Sequence, residues 1–234
     1  MASDIKHGSL APTLTMFAIC EHCDSVVNGL SMTEHGKPCP VCGVPWQGAH
    51  GYFTLSVHTL IELIQQAYHS PAHRVRLVDT EDEKTPATRL AALVFYCTLG
   101  EVLLEHFLTR LMNKQRVPRP LQDQLLQDNL SLNLRRTRLF RAVTGDTWDT
   151  ALRVLRESDL GDFGQVSALH KKAVDVRNGL LHQGHKWSVP ADLPKQCLDN
   201  LPALINLFVT LHNHYVAGRG PSATTSGRRV PDAT

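Results

Sequence analysis

The feature that most constrains this 234-residue chain is a pair of cysteine doublets near its start. Cys20-Glu-His-Cys23 and Cys39-Pro-Val-Cys42 are separated by residues 24–38, which gives the pattern C-x2-C-x15-C-x2-C. That is the spacing of a zinc site. Each C-x2-C closes a tight turn that aims two thiolates at one point, and two turns supply the four sulfurs of a tetrahedron around Zn²⁺. Gly43 follows the second doublet, where such a knuckle calls for left-handed backbone. Phe17-Ala18-Ile19 and Val26-Val27 read as short strands flanking the first turn, and Asn28-Gly29 as a hairpin turn. So short a segment cannot bury enough apolar surface to fold unaided, and the metal is expected to supply much of its folding energy. Four thiolates leave no open coordination position, so the site is expected to hold one structural zinc per chain. His22, His35 and His50 are then surface residues. The competing reading is two unrelated doublets or a redox pair, which would call for a βαβ setting that the sequence lacks. Six cysteines are too few for a disulfide scaffold in a chain this long. Cys97 and Cys197 fall in helical patterns and read as buried apolar residues.

The first nineteen residues include Asp4, Lys6, His7 and Pro12 and no apolar run of signal-peptide length. The apolar stretches near 90–112 and 201–211 are interrupted by Glu101, Glu105, His106, Asn206 and His212, so neither reads as a membrane span. The expectation is a soluble cytoplasmic protein with reduced thiols and no membrane partner.

From about residue 54 the apolar period is helical. Val57, Leu60, Ile61, Ile64 and Ala67 mark a helix over 56–70, stopped at Ser70-Pro71. Residues 71–85 form a polar connection, and Thr85-Pro86 opens a long helix to about 113. Shorter helices are predicted near 121–128, 131–143 and 147–157, with Thr147 as a cap for the last. Two more are predicted over about 162–182 and 195–217. The tail, 218–234, is rich in Gly, Pro, Ser and Thr and reads as disordered. The predicted organisation is a β zinc ribbon over 1–50, a mostly α, up-and-down helical bundle over 51–217, and the tail.

The formal net charge is only +2, which argues against coating nucleic acid by charge alone. The charge is unevenly spread: residues 1–55 are net −2, residues 56–217 net +2, and the tail net +2. Arg135, Arg136, Arg138 and Arg141 fall within seven residues. Arg135, Arg138 and Arg141 share a helical face, either as a solvated surface or as a phosphate-binding patch. Leu139 and Phe140 read as core contacts.

The segment Val176-Arg177-Asn178-Gly179-Leu180-Leu181-His182 carries the clearest chemistry. Val166, Leu169, Ala173, Val176 and Leu180 form a buried stripe; Lys171, Asp175, Asn178 and His182 form a polar one. Arg177 and His182 are five positions apart, about 140° round an ideal helix, so the two do not stack on one face of a single helix. Either the long Arg side chain reaches round or a second copy supplies the partner. On a structural reading, Arg177 pairs with Asp175 or a glutamate and His182 caps helix-end carbonyls.

Arg177, the polar Asn178 and His182, with four residues between Arg and His, resemble the R-x4-6-H motif of HEPN domains, all-α ribonuclease and nucleotide-binding bundles. The flanking pattern, from Arg138-Leu139-Phe140 through Val143-Thr144-Gly145 to Arg177-Asn178, is similar to HEPN-like proteins too, and the resemblance covers about 55–215. It implies a metal-independent endoribonuclease that works as a homodimer, with two motif copies meeting in a composite site. His182 would then be the general acid/base, and its ordinary pKa near 6.5 suits that role. Arg177 would hold the scissile phosphate and stabilise transition-state charge, and Asn178 would orient the phosphate or His182. The expected products carry 2′,3′-cyclic phosphate and 5′-hydroxyl ends. Family analogy adds a toxin or phage-defence role, with the ribbon positioning RNA or a protein partner.

Glu101 and Glu105, four apart on the long helix, are open to three readings: an exposed edge, a buried acid paired to Arg, or a carboxylate that orients Arg177 or a base. His106 reads as a boundary histidine. Arg135, Arg138, Arg141, His185 and Lys186 are candidate substrate contacts. The alternative function is a non-catalytic module that binds nucleotide or RNA, or a dimeric adaptor. A DNA-binding regulator fits less well, because the ribbon is acidic and no helix-turn-helix is evident.

Overall fold

In the computed structural model of this chain, residues 17–28, 36–46, 50–69, 87–183 and 189–218 are described. Three short strands, β1 (Phe17–Ile19), β2 (Val26–Asn28) and β3 (His50–Gly51), form an antiparallel sheet in the order β2-β1-β3. β1 and β2 are the predicted pair around the first cysteine doublet, with Ala18 opposite Val27. Gly29 lies outside the described residues; within the described chain it is the cysteine turn that joins β1 to β2. A small apolar cluster of Ala18, Cys20, Val27, Cys39 and Trp46 fills this end.

The rest of the described chain is mostly helical: α1 (Leu55–His69), α2 (Ala87–Lys114), α3 (Arg119–Asp128), α4 (Leu132–Leu134), a π-helical turn (Arg135–Leu139), α5 (Phe140–Thr144), α6 (Trp148–Glu157), α7 (Gly164–Gln183), α8 (Leu193–Asp199) and α9 (Leu201–Tyr215). α2 is the central element and packs against α1, α3, α5, α7, α8 and α9. It is apolar on most sides because it is surrounded on most sides: Leu93, Cys97, Leu104, Phe107 and Leu108 are fully enclosed. By length and composition α2 is apolar enough to cross a membrane, and half of its apolar window is buried inside the bundle. Phe140, Trp148, Phe208 and Tyr215 close the core on the α5–α6 side. Cys97 and Cys197 are buried as expected.

Local chemistry sets the helix ends. Thr147 caps α6, its hydroxyl accepting from the Thr150 N–H at 3.1 Å. Ser131 does the same for α4 through the Leu134 N–H at 3.2 Å. Gly145, at φ 84°, ends α5 in the left-handed conformation that only glycine adopts without cost.

Two elements differ from the sequence expectation. The helix predicted over 195–217 is two helices, broken at Asn200. Pro202 lacks an N–H and so opens a new helix instead of continuing the old one. The helix predicted over 131–143 contains a π turn, in which the Phe140 N–H bonds to the Arg135 carbonyl. The extra residue widens the turn and takes Arg135 off the Arg138–Arg141 face. The predicted stripe of Arg135, Arg138 and Arg141 is therefore not one surface: Arg135 is largely enclosed and only Arg138 and Arg141 are exposed, while Arg136, between them in sequence, is buried. The tail beyond 218 and the 71–85 connection lie outside the described residues.

Candidate functional site

The first site is the cysteine cluster. The Sγ atoms of Cys20, Cys23, Cys39 and Cys42 all lie within 4.8 Å of one another, and Cys20 Sγ is 3.8 Å from Cys42 Sγ. All four are free thiols. The two turns share one geometry. The N–H four residues after the first cysteine bonds to that cysteine's carbonyl in both, Asp24 to Cys20 at 2.8 Å and Gly43 to Cys39 at 2.9 Å. The cysteine's own N–H bonds five residues on, to Ser25 at 2.9 Å and Val44 at 2.8 Å. Both turns close on left-handed backbone, at Asp24 (φ 57°) and Gly43 (φ 73°). A metal with sulfur bonds of about 2.3 Å has tetrahedral S–S edges of about 3.8 Å, so the donor set fits such an ion. Burial pushes the Cys20 thiol up to about 12. Cys23 is also opposed by burial but is drawn down to about 7, chiefly by hydrogen bonds to Ser25.

The cluster is tied to the bundle. Asn213 on α9 grips β2, donating to the Val26 carbonyl at 3.0 Å and accepting from the Val26 N–H at 2.7 Å. His212 Nε2 lies 2.9 Å from the Asp24 carbonyl, and Lys114 pairs with the Asp24 carboxylate at 2.5 Å. Tyr52, fully buried, stacks edge-on against His106 and His212.

The second site lies between α2 and α7. Arg177 is largely enclosed, with 15% of its side chain exposed. Its Nη2 pairs with Glu101 Oε1 at 2.9 Å. Its Nε and Nη2 both donate to Asn178 Oδ1, at 3.2 and 3.0 Å. Asp175 instead pairs with Lys171 at 2.8 Å. Glu105, one turn on from Glu101, takes Arg135 Nη1 at 2.9 Å, and Arg135 Nε also donates to the Asn129 carbonyl at 3.1 Å. His182 sits in the last turn of α7; its side chain, with His185 and Lys186, lies outside the described residues.

Behind this site is a buried polar network that the sequence reading missed. His170 is wholly enclosed, and its Nδ1 lies 3.1 Å from Arg136 Nη2. An arginine can only donate, so Nδ1 accepts and the ring proton is assigned to Nε2. The Arg136 cation lies 4.4 Å from the Trp148 ring centroid, and the Trp148 indole N–H donates to Ser167 at 2.9 Å. Gly100 lets the His170 ring in: a Cβ there would fall 1.9 Å from Nε2. Burial, with Arg136 next in effect, takes His170 down to about 3, so it is neutral at ordinary pH. Burial likewise lowers Arg136, to about 10. The one sequence signal is a histidine on the buried face of α7, between Val166 and Ala173.

Comparison with family models, curated proteins and solved structures finds no match for this chain.

Proposed function

We propose that this protein is a metal-independent endoribonuclease of HEPN type, with Arg177, Asn178 and His182 as its reacting set. The observation that supports this is the fixed guanidinium of Arg177. Glu101 and Asn178 hold Nε and Nη2, and among the described residues Nη1 has no partner. An arginine pre-oriented in this way binds a phosphate without losing further side-chain freedom. His182, five residues on in the same helix, supplies the acid/base function in the composite site of a homodimer, where two α7 helices bring together groups about 140° apart on one. Water is not needed for the first step. The ribose 2′-hydroxyl attacks phosphorus, its proton passes to a histidine, and the 5′-oxygen leaves with a proton. A 2′,3′-cyclic phosphate and a 5′-hydroxyl result.

We assign the cysteine cluster to one structural Zn²⁺ held by Cys20, Cys23, Cys39 and Cys42. Four thiolates favour zinc, and a closed set offers no position for substrate. The chain's own residues form the knuckles and dock them on α9. A cytoplasmic setting and a toxin or phage-defence role belong to the same proposal. The product ends test the reaction. Mixed RNA incubated with the protein without added divalent metal should yield 2′,3′-cyclic phosphate ends; binding without cleavage would support the non-catalytic module instead.

A further inference from the structure

Arg177 and Arg135 are held alike. They come from different elements, α7 and the π turn, and each reaches one of two glutamates a single turn apart on α2. Each guanidinium is fixed at Nε and one terminal nitrogen. Arg177 gives Nε and Nη2 to Asn178 and Glu101; Arg135 gives Nε to the Asn129 carbonyl and Nη1 to Glu105. In each, one terminal nitrogen is left over: Nη1 of Arg177 and Nη2 of Arg135. Neither is among the buried polar atoms that lack a partner. The two elements are also locked to each other, because Arg136 of the π turn bonds to His170 of α7. Side chains four apart on a helix lie about 5–6 Å from one another at Cβ, which neighbouring phosphates of one extended strand can span.

We infer that Arg135 holds the phosphate next to the one at Arg177, a second phosphate subsite on the same strand. This rests on the reading of Arg177 as the scissile-phosphate holder and extends that site by one contact. The π turn then has a purpose: it takes Arg135 out of the exposed stripe and gives it to the site. Glu105 orients the guanidinium without removing its charge.

The test compares an RNA dinucleotide, which has a single phosphate, with a longer oligonucleotide of the same cleavage step. For Arg135→Gln, the advantage of the oligonucleotide in kcat/KM should shrink by about tenfold or more. The salt dependence of oligonucleotide binding should flatten by about 0.7 in log–log slope, the loss of one single-strand phosphate contact. Glu105→Gln and Arg135→Lys keep the positive charge and should keep the slope. A circular-dichroism melt shows whether each variant is folded; should Arg135→Gln not fold, Arg135→Met with Glu105→Gln, which removes both charges and keeps the packing, takes its place and should lower the oligonucleotide advantage too. Equal loss on both substrates, or equal loss in Glu105→Gln and Arg135→Gln, would show a structural pair and overturn the proposal. If the wild type cleaves neither substrate, the catalytic reading of Arg177 fails, and an unchanged salt slope in Arg135→Gln would then overturn the Arg135 assignment by itself.

Discussion

Gly100 is where the two helices of the arginine site meet. Glycine inside a helix normally costs about 1 kcal/mol relative to alanine, so Gly100→Ala would ordinarily stabilise α2. Here the added carbon meets the His170 ring at 1.9 Å. Overpacking of this kind costs about 1–3 kcal/mol, so the substitution should lower the urea midpoint. His170→Ala should cost less in the Gly100→Ala chain than in the wild type, because the two changes share one contact. Additive losses in the double variant would contradict the packing described. His170 also sets an acid limit. Its folded pKa of about 3 is below the ordinary histidine value of 6.5, so the unfolded chain binds the proton first. Its contribution is fully present above pH about 6.5 and is lost as pH falls toward 3, at up to about 1.4 kcal/mol per pH unit. Half-buried His106, lowered to about 4 mainly by burial, acts in the same direction. Urea unfolding at pH 7.5 and pH 5 should show the lower midpoint at pH 5, and His170→Asn should reduce the difference. An unchanged difference would mean that other groups carry it. At this scale the sequence was partly legible. The spacing marked all four cysteines and Gly43, but Asp24 takes the same left-handed backbone without being glycine. His170 and Arg136 were hidden because their partners, Gly100 and Trp148, lie on other helices.

Among the elements, the cysteine turns and α9 behave as one piece. Asn213 completes the β2 edge, His212 reaches the Asp24 carbonyl directly after Cys23, and Tyr52 stacks against His212. Metal loss should therefore be felt in the helical bundle. Metal analysis should find one zinc per chain. Chelation, or Cys39→Ser, should raise amide hydrogen exchange over the last turns of α9 as well as in the strands. Loss of protection confined to residues 17–46 would show an independent ribbon. Helical periodicity revealed the helices and their order because most of them bury a stripe against α2. It failed where the backbone departs from that period. The proline at 202 starts a new helix, and the π turn at 135–139 changes which arginines share a face. No period in the residues themselves marks a π turn, since it is the packing of Leu139 and Phe140 into the core on one side and Arg135 toward Glu105 on the other that holds it.

For the whole molecule, α2 is the shared wall of both sites. Glu101 and Glu105 near its middle hold the arginines, and Lys114 at its end holds Asp24. Of the three readings open for Glu101, the structure shows a carboxylate paired to an arginine, and that arginine is Arg177. Which glutamate faces which arginine was not legible in the sequence, because it depends on how α7 and the π turn lie across α2. The Arg177–His182 spacing was legible, and so was the difficulty it poses for a single helix. The most direct measurement of the central claim is the rate of RNA cleavage by the wild type, Arg177→Ala and His182→Ala, each shown by its melting curve to be folded. Cleavage by the wild type is expected, with a loss of at least about a hundredfold in each variant, as removal of a transition-state charge stabiliser or a general acid/base entails. A folded wild-type dimer that leaves RNA intact, or a variant that cleaves at the wild-type rate, would contradict it.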